Sequence, residues 1–555
     1  MQRSLSVVLL TSVLLFNFPS AFAQRKTNKN QKAAPVSLAS ERGADNITGA
    51  QIRDYVSFIA SDLFEGRDTP SRGLDTAAQF LAMSVSRCGL KPGGDDGTFF
   101  QKIALRRTAI DKPETRAQIN NDTLTLGDDY LPLGRPADVP ASQLVYAGSG
   151  WFIKSKNIDP YKGIDAKGKI AIVFTPIDGL PQGVTRADIS GKRGEDWMGP
   201  GEYGFKQGVA GIVIVPDFQY LANWESNRIR LIERGTTTVE KFQTAGAPLS
   251  PGIIATPRLT NLLFQGEKQD ARSLFEAAFG GKQLEPFVLS AQKTLSIKIK
   301  LKSDAATTQN VVAVVEGSDP VLKNEYVALG AHYDHLGVGI PVAGDTIYNG
   351  ADDDGSGTIA LLAMAEALAK ANSRPKRSVL FVWHTGEERG LWGSRYFTDY
   401  PTIPLDRIVT QINLDMIGRS KKEGDTNSRN NELSGPNEIF VIGPKMMSTD
   451  LAELTESVNK QYLNLTYDFR FDDPTDSNRY FFRGDHHSYA LKGIPIIFFF
   501  AGEHEDYHRP GDSADKIDYQ KMEKVSRTIY MTVWEIANKT TRPKVDKLFQ
   551  PSERL

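Results

Sequence analysis

Apolar runs and helical patterns alternate along the second half of the chain. Each run is rich in β-branched or aromatic residues and has the length of one strand. Apolar residues at helical spacing separate several runs, notably over Thr358 to Ala371 and Asp450 to Tyr462. This alternation predicts an α/β domain over 287–541, with a mostly parallel mixed sheet covered by helices on both faces. The predicted strands are Asn310–Val315, Tyr326–Ala331, Ser378–His384, Ile408–Leu414, Ile439–Ile442 and Ile494–Ala501.

The two preceding segments follow other patterns. Apolar residues recur at helical spacing around Ile52 and from Leu74 to Cys88, so we predict a helical part of the same domain over 48–127. Over 128–286, short β-rich runs such as 169–174 are separated by glycines and prolines, which predicts a β-rich insert. Histidine is absent from this middle segment, and we expect no catalytic constellation in it.

The N-terminus has the pattern of an export signal. Arg3 precedes an apolar run from Leu5 to Phe18, and Ala21-Phe22-Ala23 offers small residues for cleavage near Ala23. The run is shorter than the ~20 residues that span a bilayer, which favours a signal peptide over an anchor. We therefore expect an exported protein, secreted or periplasmic, with no integral membrane segment after cleavage. The segments outside the folded domains are then a signal peptide (1–23), a disordered leader (24–47) and a C-terminal tail (542–555).

Composition narrows the classes of partner. The 555 residues have a net charge of -1, with 40% hydrophobic and 24% charged residues, which is ordinary for a globular protein. A balanced charge gives no long-range attraction to nucleic acid, so partners of that class are disfavoured. The chain is too long for one hydrophobic core. Cys88 is the only cysteine, which leaves no internal disulfide.

The position of the histidines is the sharpest chemical signal. All seven lie between His332 and His508. A lone histidine is more often structural than a ligand, but a cluster beside acidic residues at predicted strand ends favours a metal site. His332 follows one predicted strand, and the carboxylate of Asp334 can hydrogen-bond the imidazole that a metal ligand presents.

Carboxylates also occur at the ends of other predicted strands and before a predicted helix. Asp352 to Asp354 precede an Ala/Leu-rich helix, where one of them can cap the helix and the surplus suggests a cation. Glu387 and Glu388 follow one predicted strand, and Asp415 closes another. An aspartate in that position is costly to bury unless it is paired or bound to metal. Ligands of such sheets bind outside the carboxyl ends of the strands, so we expect these side chains to share one site.

Taken in order, these segments resemble the motif series of peptidase family M28, the zinc aminopeptidases. Glu65-Gly66-Arg67 resembles a further element of that family, and 163–169 resembles part of the protease-associated domain often inserted in it. The resemblance implies a zinc exopeptidase fold with an inserted protease-associated domain over 128–286. The stretches that carry the main resemblance are Gly330–Asp334, Asn349–Gly357, Glu387–Glu388 before Gly390–Leu391, Asp415 and Tyr507–His508.

The family resemblance implies a site for two zinc ions. His332 and Asp415 would bind one ion, Glu388 and His508 would bind the other, and Asp353 would bridge both. Imidazole and carboxylate are expected ligands of zinc in an open catalytic site. The family resemblance also implies a cis peptide bond after the bridging aspartate.

The same resemblance implies hydrolysis of N-terminal residues from peptide substrates. Glu387 would be the general base, taking a proton from the attacking water and returning it to the leaving amine. Tyr507 resembles a tyrosine that helps to hold the oxyanion in some family members. Asp334 would orient the ligand His332.

Other functions remain open on the sequence. A glutamate-carboxypeptidase-like zinc carboxypeptidase is the alternative. An inactive receptor-like relative is disfavoured because all five implied ligands are present, and a single-zinc glutaminyl cyclase is disfavoured because His332 together with Asp415 favours two metal ions. An aminopeptidase needs negative charge beside the substrate ammonium, whereas a carboxypeptidase needs cations for the terminal carboxylate. The candidates for the first role are Asp485, Glu503, Glu505 and Asp506. The candidates for the second are Arg470, Arg479 and Arg483.

Overall fold

The structure, a computed structural model, describes residues 38–243, 246–282 and 284–547. The predicted signal peptide, the first part of the leader and the end of the tail lie outside these residues. The helices are α1 (Leu38–Glu41), α2 (Gly49–Ile59), α3 (Arg72–Arg87), α4 (Pro200–Lys206), α5 (Phe218–Ala222), α6 (Trp224–Arg228), α7 (Pro257–Phe264), α8 (Ala271–Phe279), α9 (Gly355–Lys370), α10 (Trp392–Asp399), α11 (Pro444–Met447), α12 (Thr449–Gln461), α13 (His486–Ala490) and α14 (Tyr519–Asn538).

The described strands form two large sheets and two short two-stranded sheets, β7-β9 and β17-β18. They are β1 (Lys91–Pro92), β2 (Phe100–Ile110), β3 (Arg116–Ile119), β4 (Asp122–Leu124), β5 (Tyr130–Pro132), β6 (Ala137–Tyr146), β7 (Phe152–Ile153), β8 (Ile170–Phe174), β9 (Trp197–Met198), β10 (Gly211–Val215), β11 (Thr236–Val239), β12 (Gly252–Ala255), β13 (Phe287–Val288), β14 (Thr294–Ile299), β15 (Leu301–Val315), β16 (Tyr326–His332), β17 (Gly337–Val342), β18 (Asp345–Tyr348), β19 (Ser378–His384), β20 (Ile408–Leu414), β21 (Glu438–Ile442), β22 (Thr466–Asp468) and β23 (Ile496–Phe500).

The larger sheet is mixed, with a parallel centre. Its order is β11-β2-β15-β19-β16-β20-β23-β21-β22, and β1 pairs with β15. Strands β19, β16, β20 and β23 are parallel to one another, whereas β2, β15 and β11 pair in antiparallel fashion at one side. The predicted parallel arrangement therefore describes the centre of the sheet, where the candidate ligands lie, and the flank adds antiparallel strands.

Helices cover both faces of this sheet. In β19, Phe381 and Trp383 pack into the core formed with α2, α3, α9 and α14. The alternate residues Leu380 and Val382 pack into a second core with α10, α11 and α13. Successive side chains of a strand point to opposite faces, so a strand buried on both faces needs an unbroken apolar run. This explains why the central strands were readable in the sequence.

The second sheet contains the middle segment and more. Its order is β4-β3-β14-β6-β8-β10-β12-β5, and β13 pairs with β6. It extends from Arg116 to Ile299, beyond the predicted limits of 128–286 at both ends. The segment that carries it leaves the larger sheet after Ile110 of β2 and returns at Leu301 of β15, which is paired with Ile110. Between these two residues the described part of the segment contributes only β11 to the larger sheet. The insert therefore occupies the turn of a single β-hairpin.

Two predictions about the N-terminal third need correction. The segment 48–127 is not wholly helical, because it contains β2, an edge-side strand whose charged residues alternate with buried ones. The disordered leader is wrong for residues 38–47, since Ala44 and Ile47 are fully buried against the core of the larger sheet. Arg527 also donates a 2.8 Å hydrogen bond to the carbonyl of Ile47. Among the described residues, no helix is long and apolar enough to cross a membrane.

Candidate metal centre

The parallel register of the central strands brings the candidate ligands to one edge of the sheet. His332 ends β16 and is paired with His384, which ends β19 and precedes Glu387 and Glu388. On the other side of β16, β20 ends beside it, and Asp415 follows directly. The sequence therefore places an imidazole and three carboxylates around the same point, as parallel strand ends are expected to do.

The three successive aspartates before α9 have separate roles. Asp354 caps the helix by accepting a 2.8 Å hydrogen bond from the Gly357 amide, and it also accepts from the amide of His332. Asp352 accepts a 2.6 Å hydrogen bond from the Gly418 amide. Only Asp353 directs its carboxylate at the candidate ligands, and the peptide bond that follows it is cis, as the family resemblance implied.

Asp353 is shared by two groups of ligand atoms. In the first group, His332 Nε2 lies 3.3 Å from Asp353 Oδ1 and 3.6 Å from Asp415 Oδ1. In the second group, His508 Nε2 lies 3.2 Å from Asp353 Oδ2 and 3.3 Å from Glu388 Oε2. The structure thus brings together all five residues that the resemblance implied as ligands, with Asp353 between the two groups.

His335 also belongs to the second group, and our sequence analysis did not single it out. Its Nδ1 atom lies 2.8 Å from Glu388 Oε1 and 3.7 Å from Asp353 Oδ2. The available signal was a second histidine three positions after His332, just past the strand end. Strand periodicity does not predict where a side chain beyond the strand end points, so the sequence pattern alone left its position open.

The chemistry of these residues fits zinc ions. Four ligand atoms in the two groups are buried without a hydrogen-bond partner among the described residues: His335 Nδ1, Asp353 Oδ2, Glu388 Oε1 and Asp415 Oδ1. Buried polar atoms are seldom left unpaired, because their desolvation costs about 1–3 kcal/mol each. Zinc held at about 2.0–2.2 Å by nitrogen and oxygen ligands would satisfy them, and would place tetrahedral ligand atoms about 3.3 Å apart, close to the observed separations.

Comparison with known sequences decides the family. The family model of Peptidase family M28 matches residues 310–533, the segment that contains every implied ligand. This segment belongs to peptidase family M28. We use the name M28 domain for the larger sheet and its helices, most of whose strands lie within that segment.

The relatives found are aminopeptidases by name. The chain is 26% identical to leucine aminopeptidase 2 of Arthroderma otae over 353 residues, which cover 58% of this chain and 65% of the relative. It is 25% identical to aminopeptidase YwaD of Bacillus subtilis over 328 residues, again 58% and 65% of the two chains. These matches thus span 65% of the length of each relative.

A solved structure matches over nearly the whole chain. The aminopeptidase from Aneurinibacillus sp. strain AM-1 aligns with a TM-score of 0.51 at 16% identity, covering 93% of this chain and 98% of that one. At this identity the likeness is one of fold. Together with the mixed sheet and its helices, it confirms the predicted α/β architecture.

We predicted that the Asp334 carboxylate would hydrogen-bond the His332 imidazole, and in the M28 domain the main-chain carbonyl of Asp334 does so instead. The atom nearest to His332 Nδ1 is the main-chain carbonyl oxygen of Asp334, at 3.1 Å, while the carboxylate oxygen Oδ1 is 3.8 Å away. The carboxylate instead accepts hydrogen bonds from the Glu387 amide and the Thr69 hydroxyl. Asp334 therefore orients the candidate ligand His332 through its backbone and positions the Glu387 segment through its side chain. Burial raises the pKa of Asp334 to about 7.

Glu387 lies at the edge of the site, in a position suited to proton transfer. Its Oε2 atom is 4.0 Å from His332 Nε2, and its side chain is 14% exposed. Burial, together with the negative charge of the adjacent Glu388, raises the pKa of Glu387 well above its ordinary range, although His332 opposes this shift. A carboxyl group with a raised pKa can take up a proton near neutral pH, as a general base must.

The Arg67 side chain is buried between the loops that carry the candidate ligands and binds their backbone. Its guanidinium is fully buried and donates to the carbonyl oxygens of Tyr333, Ile59, Asn349 and Gly350. These bonds join the end of β16 to the segment before the aspartates, so one side chain fixes two loops that carry candidate ligands. The Glu65-Gly66-Arg67 element thus has a structural role that the family resemblance did not specify.

The candidate substrate pocket opens beside the ligands. Phe498, Phe500, Tyr480 and Met416 give it an apolar lining, and Tyr507 stacks on His508 with the ring centroids 3.9 Å apart. At its rim, Arg483 donates a 2.8 Å hydrogen bond to Glu503 and a 3.4 Å hydrogen bond to the Tyr507 hydroxyl.

Most of the other charged candidates are engaged elsewhere. Asp485 is buried against His384, with the carboxylate oxygen 3.2 Å from Nδ1. Glu505 accepts hydrogen bonds from Asn427 and Asn430, and Asp506 is paired with Arg419 and Lys516. Arg470 is paired with Asp468, while Arg479 lies over the ring of Phe482. Only Glu503 and Arg483 line the pocket, and they are bound to each other.

Proposed function

We propose that this protein is an exported, dinuclear zinc aminopeptidase. The observation that carries the proposal is the position of Asp353 between two groups of imidazole and carboxylate ligands. His332 and Asp415 would hold one zinc ion, Glu388 and His508 the other, and Asp353 would bridge them. Export rests on the signal-peptide pattern before Ala23, which lies outside the described residues.

The reaction follows from the groups around the site. When bound, the two zinc ions would lower the pKa of a water molecule and polarise the scissile carbonyl. Glu387 accepts the proton of the attacking water and then donates it to the leaving amine. The raised pKa of Glu387 favours retention of that proton between the two transfers. The Tyr507 hydroxyl, which accepts from Arg483, keeps its own proton to donate to the developing oxyanion.

Charge favours a substrate with a free N-terminus. Acidic side chains outnumber basic ones in the pocket lining, since Asp353, Glu387 and Asp415 remain in addition to Glu503, which is paired with Arg483. Burying an ammonium requires compensating negative charge close by. The relatives named as aminopeptidases support the same choice.

The apolar lining of the pocket suggests which residue is removed. Phe498, Phe500, Tyr480 and Met416 would bury an aliphatic or aromatic side chain, at about 25 cal/mol for each Å² of apolar surface removed from water. Against these four residues a charged substrate side chain would lose its hydration without gaining an ionic partner. We therefore propose a preference for large apolar N-terminal residues, in keeping with the name leucine aminopeptidase of one relative.

The alternative function is a zinc carboxypeptidase, and Arg483 is the residue that favours it. An arginine fork is a typical partner of a terminal carboxylate. In this structure the Arg483 guanidinium already forms an ion pair with Glu503, and the pair is electrically neutral. A carboxypeptidase would have to break that pair for each substrate.

A hydrolysis screen tests the proposed function. The substrates are aminoacyl chromogenic compounds that carry leucine, phenylalanine, lysine or aspartate. Leucine and phenylalanine substrates should be cleaved fastest, a chelator should abolish cleavage, and added zinc should restore it. Activity that survives full removal of metal would contradict the proposed function.

A further inference from the structure

We propose that His335 is an additional protein ligand of the second zinc ion, beside Glu388, His508 and Asp353. The proposal rests on the proposed function, because it assumes that the metal ions bind. It adds one imidazole to the ligand set that the family resemblance implied. The second ion would then have one more protein ligand than the first.

The separations between ligand atoms support this assignment. His335 Nδ1 is 2.8 Å from Glu388 Oε1 and 3.7 Å from Asp353 Oδ2. His508 Nε2 lies 3.3 Å and 3.2 Å from the same two carboxylates. Atoms that share one zinc ion at about 2.0–2.2 Å lie about 3.3 Å apart in tetrahedral geometry, and the two imidazoles approach the two carboxylates at comparable distances.

The surroundings of His335 leave its imidazole without another polar role. The side chain is fully buried, and neither ring nitrogen has a hydrogen-bond partner among the described residues. Although Nδ1 is within 2.8 Å of Glu388 Oε1, the two atoms are not aligned as donor and acceptor. Two unpaired lone pairs that meet in a buried position are the arrangement that a cation would stabilise.

The backbone holds the ring at this point. The His335 amide donates a 3.1 Å hydrogen bond to the carbonyl of Arg67, whose guanidinium in turn binds the carbonyl of Gly350. A Cβ atom on Gly350 would lie 2.5 Å from Cγ of the His335 ring. The glycine therefore leaves the space that the imidazole fills, and packing, rather than a bond to Nε2, sets the ring orientation.

Cobalt substitution tests this assignment. The proteins are the wild type, His335→Gln, His335→Cys and the control His487→Cys, which changes a buried histidine outside both groups. His335→Gln should bind the second Co²⁺ ion at least about tenfold more weakly, the smallest loss typical of disturbed metal ligation. His335→Cys should show a new thiolate-to-cobalt charge-transfer band in the near ultraviolet, and His487→Cys should not.

The outcomes separate the two proposals. A wild type that binds fewer than two ions would overturn the dinuclear site, and the role of His335 with it. Two ions in the wild type, with no new band in His335→Cys and no weakening in His335→Gln, would overturn the His335 assignment alone. If either variant fails to fold, a crystal structure of the zinc-loaded wild type decides. Coordination requires about 2.0–2.1 Å between zinc and Nδ1, and a separation beyond about 3 Å contradicts it.

Discussion

At the residue scale, Glu387 and Glu388 are chain neighbours with different tasks. Glu388 contacts both His335 and His508, whereas Glu387 lies at the edge of the site with a raised pKa. Replacing Glu387 with Gln should keep two zinc ions per chain and lower kcat by at least ~10²-fold, because the proton acceptor is lost. Replacing Glu388 with Gln should instead lower the zinc content. Metal analysis and steady-state kinetics on the same preparations distinguish these effects, and exchanged phenotypes would reverse the assignment.

Arg67 offers a second prediction at this scale. Replacing it with Met keeps much of the apolar stem but leaves the carbonyl oxygens of Tyr333, Ile59 and Asn349 without this donor, while the carbonyl of Gly350 still accepts from the Gly355 amide. Because each unpaired buried acceptor costs about 1–3 kcal/mol, the free energy of unfolding should fall by at least about 3 kcal/mol. Denaturant titration measures this loss. The neighbouring exposed Arg72 is the control, and its replacement with Met should change stability little. Equal effects of the two replacements would contradict the role given to Arg67.

At the scale of elements, the first turn of α9 is fixed against the end of β20. A Cβ atom on Gly357 would lie 2.4 Å from Asp354 Oδ1 and 2.5 Å from the carbonyl oxygen of Leu414. Gly357→Ala should therefore lower the free energy of unfolding by about 1–3 kcal/mol and weaken metal binding, because Asp353 lies in the same turn region. Thermal unfolding and zinc titration measure the two effects.

The matched control is a glycine in the first turn of another helix. In α4, a Cβ atom on Gly201 would meet only the Leu249 side chain, at 3.6 Å. Gly201→Ala should leave metal binding unchanged and stabilise the protein by up to about 1 kcal/mol, because alanine has the higher helix propensity. If Gly357→Ala also leaves metal binding and stability intact, the close contacts of Gly357 with Asp354 and Leu414 do not require a glycine there.

The elements also show how far the sequence could lead. The buried central strands and α9 were predictable because burial on both faces demands unbroken apolar runs. Strand β2 was missed, since it alternates polar and buried residues as edge-side strands do. The five implied ligands came from motif order, whereas the contacts of His335 and the burial of Asp485 against His384 depend on tertiary packing. Pairwise contacts of that kind leave no periodic signal in the chain.

At the scale of the whole molecule, the insert and the M28 domain should be separable. The insert occupies one hairpin turn, where the Asp111 amide donates a 2.9 Å hydrogen bond to the carbonyl of Lys300. Replacing residues 112–299 with an Asn-Gly turn would close β2 and β15 as a two-residue hairpin. The product should fold and keep two zinc ions, although loss of β11 leaves the edge of β2 uncovered and lowers stability. A folded product without metal would show that the insert helps to build the site.

The central claim is that the site acts on a free N-terminus through bound metal. The most direct measurement compares two versions of one leucine-initiated peptide, one acetylated at its N-terminus and the other amidated at its C-terminus, with product masses followed over time. Acetylation removes the ammonium that the excess of acidic side chains in the pocket would stabilise, so it should abolish cleavage. Amidation should leave release of the first residue nearly unchanged, and a chelator should stop it. Cleavage of the acetylated peptide from its C-terminus, with the amidated peptide left intact, would contradict the account and identify a carboxypeptidase.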